Sequence, residues 1–364
     1  MADTRRSPPP PLIRSAGAAT RRATLALFVA TLAHARRADA AVATDTALAL
    51  ADAPSIVVAG PAGGRLDRWA PVLAAALLPA LPAGTMLQHT AAGGEDGVTG
   101  ANQFATRVAP DGNTLLLVPG AAALAWLVGD MRAKFDAARW LAVLAGVAPA
   151  VVVSQLDPAR LRPGQILRVG MAGPVSPDMA AALAVEVMGC VPVPVFGVLD
   201  RAAAGQALAA GVVDVVLLRG HGMAAQLSEL TAHGAAPLFA LGAADGEGRD
   251  AALPGVPALA ELASRIRGNP PAGLLYEACR AVAAATQTEF VLVLPHLTPA
   301  ALVALWRQAG AHAAAAPELR DGAAAIRTVA TSAASTLTHA LAPNSAAVTE
   351  LRSWLAARLN WRPA

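Results

Sequence analysis

From Ser55 to Asp67 the chain reads Ser-Ile-Val-Val-Ala-Gly-Pro-Ala-Gly-Gly-Arg-Leu-Asp, an apolar run that stops at glycines and gives way to an amphipathic segment. Ile56, Val57 and Val58 have the character of a short buried strand, and Trp69, Val72, Leu73, Ala76 and Leu77 recur at helical spacing after the turn. The pattern predicts strand, glycine loop, helix. A loop of this kind opens a helix with N–H groups aimed at one point, a floor on which an anion is held by backbone alone. Gly60, Gly63 and Gly64 serve equally well to permit a tight turn and nothing more.

The design recurs. Thr85 to His89 predicts a weak strand, and a second glycine-rich loop follows at Gly93-Gly94-Glu95-Asp96-Gly97. Asn102 to Val108 reads as helix, Pro110-Asp111-Gly112 as a turn and Thr114 to Val118 as a buried strand. Further on, Ile166 to Met171 predicts a strand, Ala172 to Pro177 a loop and Asp178 to Met188 a helix that Ser176 or Asp178 would cap. Strands alternating with helices over short connections imply an α/β fold with a mostly parallel sheet flanked by helices, whose ligands sit beyond the carboxyl ends of the strands. Arg219 and His221 follow the predicted strand Val212 to Leu218 and so emerge at such an end.

At 364 residues the chain is long enough for about two domains. Its apolar content is largely alanine, and no run after residue 45 approaches the roughly 20 residues that span a bilayer. The basic balance is local: Arg5, Arg6, Arg14, Arg21, Arg22, Arg36 and Arg37 precede residue 40, and without that segment 21 of the 28 basic residues face 23 of the 25 acidic ones. A nucleic-acid partner loses its support. Those arginines, the apolar run Ala23 to Ala35 and the small-residue sites Ala33-His34-Ala35 and Ala38-Asp39-Ala40 mark residues 1–43 as an export leader or an attached polar tail.

Chemistry of other kinds finds little. The seven histidines form no His-Glu-x-x-His or paired metal spacing, there is no Gly-x-Ser-x-Gly elbow, and the glycine loops lack both the dinucleotide and the phosphate-loop order. No enzyme, metal or cofactor is expected. Cys190 and Cys279 belong to no Cys-x-x-Cys pair and leave a disulfide and two free thiols equally open.

Val58-Ala-Gly-Pro-Ala-Gly-Gly-Arg-Leu-Asp67 and, some 40 residues later, Ala109-Pro-Asp-Gly-Asn-Thr-Leu-Leu-Leu117 resemble the opening motifs of the tripartite tricarboxylate transporter substrate-binding (Bug) family. Phe135-Asp136 with Arg139-Trp140, Val175-Ser176-Pro177, Ala209 to Asp214 and Leu253 to Glu261 continue the resemblance in order over residues 54–360. It implies a two-lobed, periplasmic-binding-protein-like Venus flytrap, monomeric, in which one lobe comprises residues 54–153 with 293–364 and the other residues 154–292. The implied function is capture of a small organic carboxylate in the cleft for membrane transporter subunits, with no catalysis. By resemblance the ligand-binding role falls on Ala62, Gly63, Gly64, Arg65 and Ser176, to which the loop positions add Asp178 and Arg219. Arg65 and Leu66 stand where the family has small or hydroxyl residues, and Asp178 where histidine is common. The loop after Leu117 is apolar through Ala121, Ala122 and Ala123, which raises an alternative: a binding-degenerate paralogue acting as an extracytoplasmic sensor or interaction partner. Residues 265–288 exceed the family's usual length, and Leu274 to Ala285 predicts an extra helix.

Overall fold

The structure, a computed structural model, describes residues 50–51, 53–244, 248–321 and 326–362. The expected leader at residues 1–43 lies outside them. The opening unit forms as read: β1 (Ser55–Val58), a glycine turn, then α1 (Arg65–Leu77). Leu66, Ala70, Leu73 and Leu77 give α1 a buried stripe at helical spacing, while Val72 of the predicted face stands 37% exposed. There follow β2 (Gln88–Ala91), α2 (Val98–Arg107), β3 (Thr114–Val118), α3 (Gly120–Val128) and β4 (Leu141–Val147).

The next strand, β5 (Ala150–Ser154), belongs to a different sheet. With it come β6 (Ile166–Met171), α4 (Met179–Val187), β7 (Val191–Phe196), α5 (Arg201–Ala209), β8 (Val215–Arg219), α6 (Met223–Ala232) and β9 (Ala236–Ala240). Then α7 (Leu259–Arg267) and α8 (Leu274–Gln287) lead into β10 (Thr288–Leu294), which returns the chain to the first sheet. It ends with α9 (Ala300–Ala315), α10 (Pro317–Asp321), β11 (Arg327–Ala330), α11 (Thr331–Leu341) and α12 (Ser345–Arg358).

The first sheet runs β11-β4-β10-β3-β1-β2 and the second β7-β6-β8-β5-β9. Parallel pairing is confined to one half of each, β2-β1-β3 in the first and β7-β6-β8 in the second. The mostly parallel sheets expected from the alternation are thus corrected to mixed ones. The reason is the passage between sheets: β10 enters antiparallel to both β3 and β4, and β5 runs antiparallel to both β8 and β9. Leu115, Leu116 and Leu117 in β3 are fully buried in succession, as in a strand covered on both faces.

The extra helix is present as α8, and it lies between the two halves. It packs against α4 from the second sheet and against α3, α11 and α12 from the first. Small side chains make this close approach possible, since Ala278, Ala281, Ala283, Ala284 and Ala285 are all buried. At Gly120, which opens α3, a Cβ would meet the carbonyl oxygen of Ala285 and lie 2.7 Å from that of Thr288. Both cysteines are free and buried, and burial pushes the Cys279 thiol up to about 12.

Candidate functional site

In the second sheet β6, β7 and β8 run parallel and adjacent, so the chain leaves them at one end through three neighbouring loops. Residues 172–178 follow β6, residues 197–200 follow β7 and residues 220–222 follow β8. This is the carboxyl-end position where open α/β sheets bind ligands. The loops enclose a cavity of about 240 Å³. Its lining includes Ser176 and Asp178 from the first loop, Asp200 and Arg201 from the second, Arg219 at the end of β8, and Arg65 from α1 of the other sheet.

Arg65 points into this space. Its Nη2 donates to Glu289 in β10, a carboxylate only 10% exposed, and lies 3.9 Å from where a Cβ at Gly220 would stand. Arg201 directs its guanidinium at the same turn, donating to the carbonyl of His221 and, at 3.4 Å, to that of Arg219. Gly222 holds a left-handed φ of 79°, and its missing side chain leaves room for that guanidinium.

Arg219 differs from both. Among the described residues its guanidinium has no hydrogen bond and no ion pair, although it is open to the cavity. Desolvation lowers its pKa, opposed by the charges of Asp178 and Glu289 and reinforced by those of Arg65 and Arg201. It remains a cation at neutral pH, because an arginine starts so far above it.

The acidic residues are already engaged. Asp178 takes the N-cap position of α4 without capping it; its Oδ2 accepts from the Ala172 N–H at 3.0 Å and lies 3.0 Å from Ser176 Oγ. Ser176 Oγ also lies 2.8 Å from the Gly173 carbonyl, so its single proton serves one of two acceptors. Neither residue is the helix cap that the sequence suggests; both tie the loop to itself. Asp200 caps α5, accepting from the Ala203 N–H at 2.8 Å.

Ala62, Gly63 and Gly64 do not line the cavity. The Gly63 N–H donates to Asp67 Oδ2 at 2.8 Å, and the Gly64 N–H to the Pro61 carbonyl at 3.0 Å. Two donors expected for a ligand are therefore satisfied within the loop. The structure brings together Arg65, Ser176, Asp178 and Arg219, and adds Arg201, which has no motif of its own. Its signal is positional: it opens the helix after β7, the strand beside β6. Gln226 also lines the cavity, with Nε2 donating to the Arg201 carbonyl at 2.8 Å and Oε1 buried without a hydrogen-bond partner among the described residues.

A larger groove of about 1160 Å³ runs between α1 and the α9–α10 turn, lined by Trp69, Val72, Ala75, Pro79 and Pro317. It is mostly apolar, with Arg65, Arg68, His312 and Glu318 also in its lining, and it does not lie at the carboxyl ends of the parallel strands of the second sheet. Among the described residues no cluster of three metal-ligating side chains occurs, and no helix is long and apolar enough to cross a membrane.

No family model and no curated protein matches the chain. Solved structures do match it in fold. A TctC solute binding protein from Polaromonas, without ligand, is 19% identical, with a TM-score of 0.61 over 85% of this chain and 98% of its own. R. palustris Rpa4515 with adipate is 19% identical, with a TM-score of 0.47, over 85% of this chain and 98% of its own. The periplasmic binding protein BugD is 17% identical, with a TM-score of 0.39, over 85% and 94%. The first fixes the architecture: two mixed sheets flanked by helices, arranged as in a TctC solute binding protein.

Proposed function

We propose that the protein is an extracytoplasmic solute-binding protein, a divergent member of the tripartite tricarboxylate transporter substrate-binding family, that captures a small organic carboxylate and presents it to membrane transporter subunits. The observation that carries this reading is Arg219, a guanidinium open to a cavity at the carboxyl ends of parallel strands and without a partner among the described residues. Its planar fork of donors matches a carboxylate in bidentate geometry. Arg65 belongs to the first sheet's opening helix and reaches the same cavity, so a ligand there is touched from both halves of the molecule. Preferential binding of the ligand by a closed arrangement is then what a transporter recognises.

The remaining parts of the reading are consistent with it. Residues 1–43 act as a leader removed on export, one lobe is built on the sheet of β1–β4, β10 and β11 and the other on the sheet of β5–β9, which moves the crossings expected near 153 and 292 to the β4–β5 connection and the start of β10, and the protein works as a monomer without cofactor or catalysis. The alternative of a binding-degenerate sensor drew on Ala121, Ala122 and Ala123. These lie in the first turn of α3, where Ala122 and Ala123 are fully buried and Ala121 is exposed, so packing accounts for the apolar character of two of the three.

Titration calorimetry of the protein against a panel of organic acids and their neutral amides tests the proposal. Saturable binding of at least one acid, with none of its amide, is the expected result. A flat response to every carboxylate overturns it.

A further inference from the structure

We infer that the ligand of this cavity is a compact monocarboxylate, and that a di- or tricarboxylate is disfavoured there. The inference rests on the carboxylate-binding reading and narrows it. It follows from the charges that face the cavity and from what each already holds. Three guanidinium groups, Arg65, Arg201 and Arg219, share the lining with two carboxylates, Asp178 and Asp200.

Two of the cations are engaged, each through one nitrogen. Arg65 is held by Glu289, and Arg201 by the carbonyls of Arg219 and His221. That leaves the Arg219 guanidinium, whose paired N–H groups donate to one carboxylate. With Glu289, which pairs with Arg65, the three guanidinium groups already face three carboxylates, so a second carboxylate on the same ligand adds uncompensated charge beside Asp178 and Asp200, which repel it. Beside the charged groups the wall carries the polar Ser176 and Gln226 and the apolar Val198, Leu199, Ala204 and Val216. The volume, about 240 Å³, is below the roughly 300 Å³ at which pockets for drug-sized ligands begin. One anionic group on a small frame satisfies both the charges and the volume.

Calorimetry at pH 7.5 on matched pairs tests this: butanoate against butanedioate, benzoate against phthalate, with propane-1,2,3-tricarboxylate as a third arm. The expected result is binding of a monocarboxylate at least about tenfold tighter than of its dicarboxylate partner. Arg219→Gln is expected to weaken that binding about tenfold or more, in line with a lost charged hydrogen bond. Arg219→Lys keeps the charge but not the fork, and is expected to fall between the two. Circular dichroism of both variants verifies that they fold. A dicarboxylate or tricarboxylate binding as tightly as the monocarboxylates overturns the inference and leaves the carboxylate-binding reading standing. Unchanged monocarboxylate affinity in folded Arg219→Gln also overturns it, and no binding of any acid overturns both.

Discussion

Arg65, the first residue of α1, donates through Nη2 to Glu289, the second residue of β10. The pair joins the helix that opens the chain's first unit to the strand that brings the chain back from the second sheet. Its two ends are unlike in burial, with the arginine side chain 54% exposed and the carboxylate 10%.

That asymmetry predicts the cost of breaking the pair. Arg65→Ala leaves Glu289 nearly buried without its cation, and a buried charged acceptor left unpaired costs about 1–3 kcal/mol. The value is expected toward the lower end, because the arginine itself is half in solvent. Adding Glu289→Gln removes the stranded charge and is expected to return most of the loss. Urea denaturation of the three variants checks this, and equal stability of wild type and Arg65→Ala refutes it.

A second prediction concerns the seat of α8. Gly120→Ala drives a methyl group toward the carbonyl oxygens of Ala285 and Thr288, backbone atoms that cannot rotate aside. Overpacking of this kind costs about 1–3 kcal/mol. Gly255 has open space around its Cβ position and no left-handed φ, so Gly255→Ala is the matched control, expected to change stability by less than about 0.5 kcal/mol. Comparison of thermal midpoints decides the matter.

The strand-loop-helix unit from Ser55 was legible because its cues are local: an apolar run, glycines, then a helical stripe. Arg219 was legible for the same reason, as the polar end of an apolar strand. Arg201 was not, since only the strand order β7-β6-β8 sets the loop before it beside the loop after Arg219. The glycine loop misled in a related way. Asp67 stands four residues after Gly63 in any reading, but that its carboxylate turns back to take the Gly63 N–H is a matter of three dimensions. The mixed sheets escaped because alternation along the chain carries no sign of the direction in which β10 re-enters.

Acid is expected to weaken the fold through two carboxylates. Hydrogen bonds from Arg249 hold Glu261 at about 2, below its ordinary 4.5. Burial alone would raise Asp214, but the side-chain and backbone hydrogen bonds and the charge of Arg168 outweigh it and hold the carboxyl below its ordinary 3.8. A depressed carboxyl contributes stability above its unfolded pKa, and that stability is lost as pH falls through the folded one. Urea midpoints of wild type and Glu261→Gln are therefore expected to differ above about pH 4.5 and to converge toward about pH 2. A difference independent of pH refutes the linkage.

The two thiols offer a test of the core. Cys279 is fully buried with its pKa near 12, and Cys190 is 2% exposed with its pKa also raised by burial. The thiolate is the reactive form, so neither reacts with a disulfide reagent at pH 8 while the protein is folded. Two thiols per chain are expected to react in denaturing urea without prior reduction, since both are free. Fewer than two indicates a bridge and refutes the arrangement.

The last prediction concerns Glu186 in α4, which ties the second sheet's helices to the C-terminal helix α12. It accepts from Arg358 Nη2 at 2.7 Å and from Trp354 Nε1 at 3.4 Å. The two donors differ in what their loss leaves behind. Arg358 is 42% exposed, so Arg358→Ala removes a largely solvated ion pair and is expected to cost about 1 kcal/mol or less. Glu186→Ala also strands the indole N–H of Trp354, a residue only 6% exposed, and an unsatisfied buried donor costs about 1–3 kcal/mol. Glu186→Ala is therefore expected to be the more damaging of the two. Because the tie spans helices from both halves, its loss is expected to speed amide hydrogen exchange in α4 and α12 together. Faster exchange confined to one of them, or a larger loss from Arg358→Ala, refutes the assignment of Glu186 as the shared acceptor.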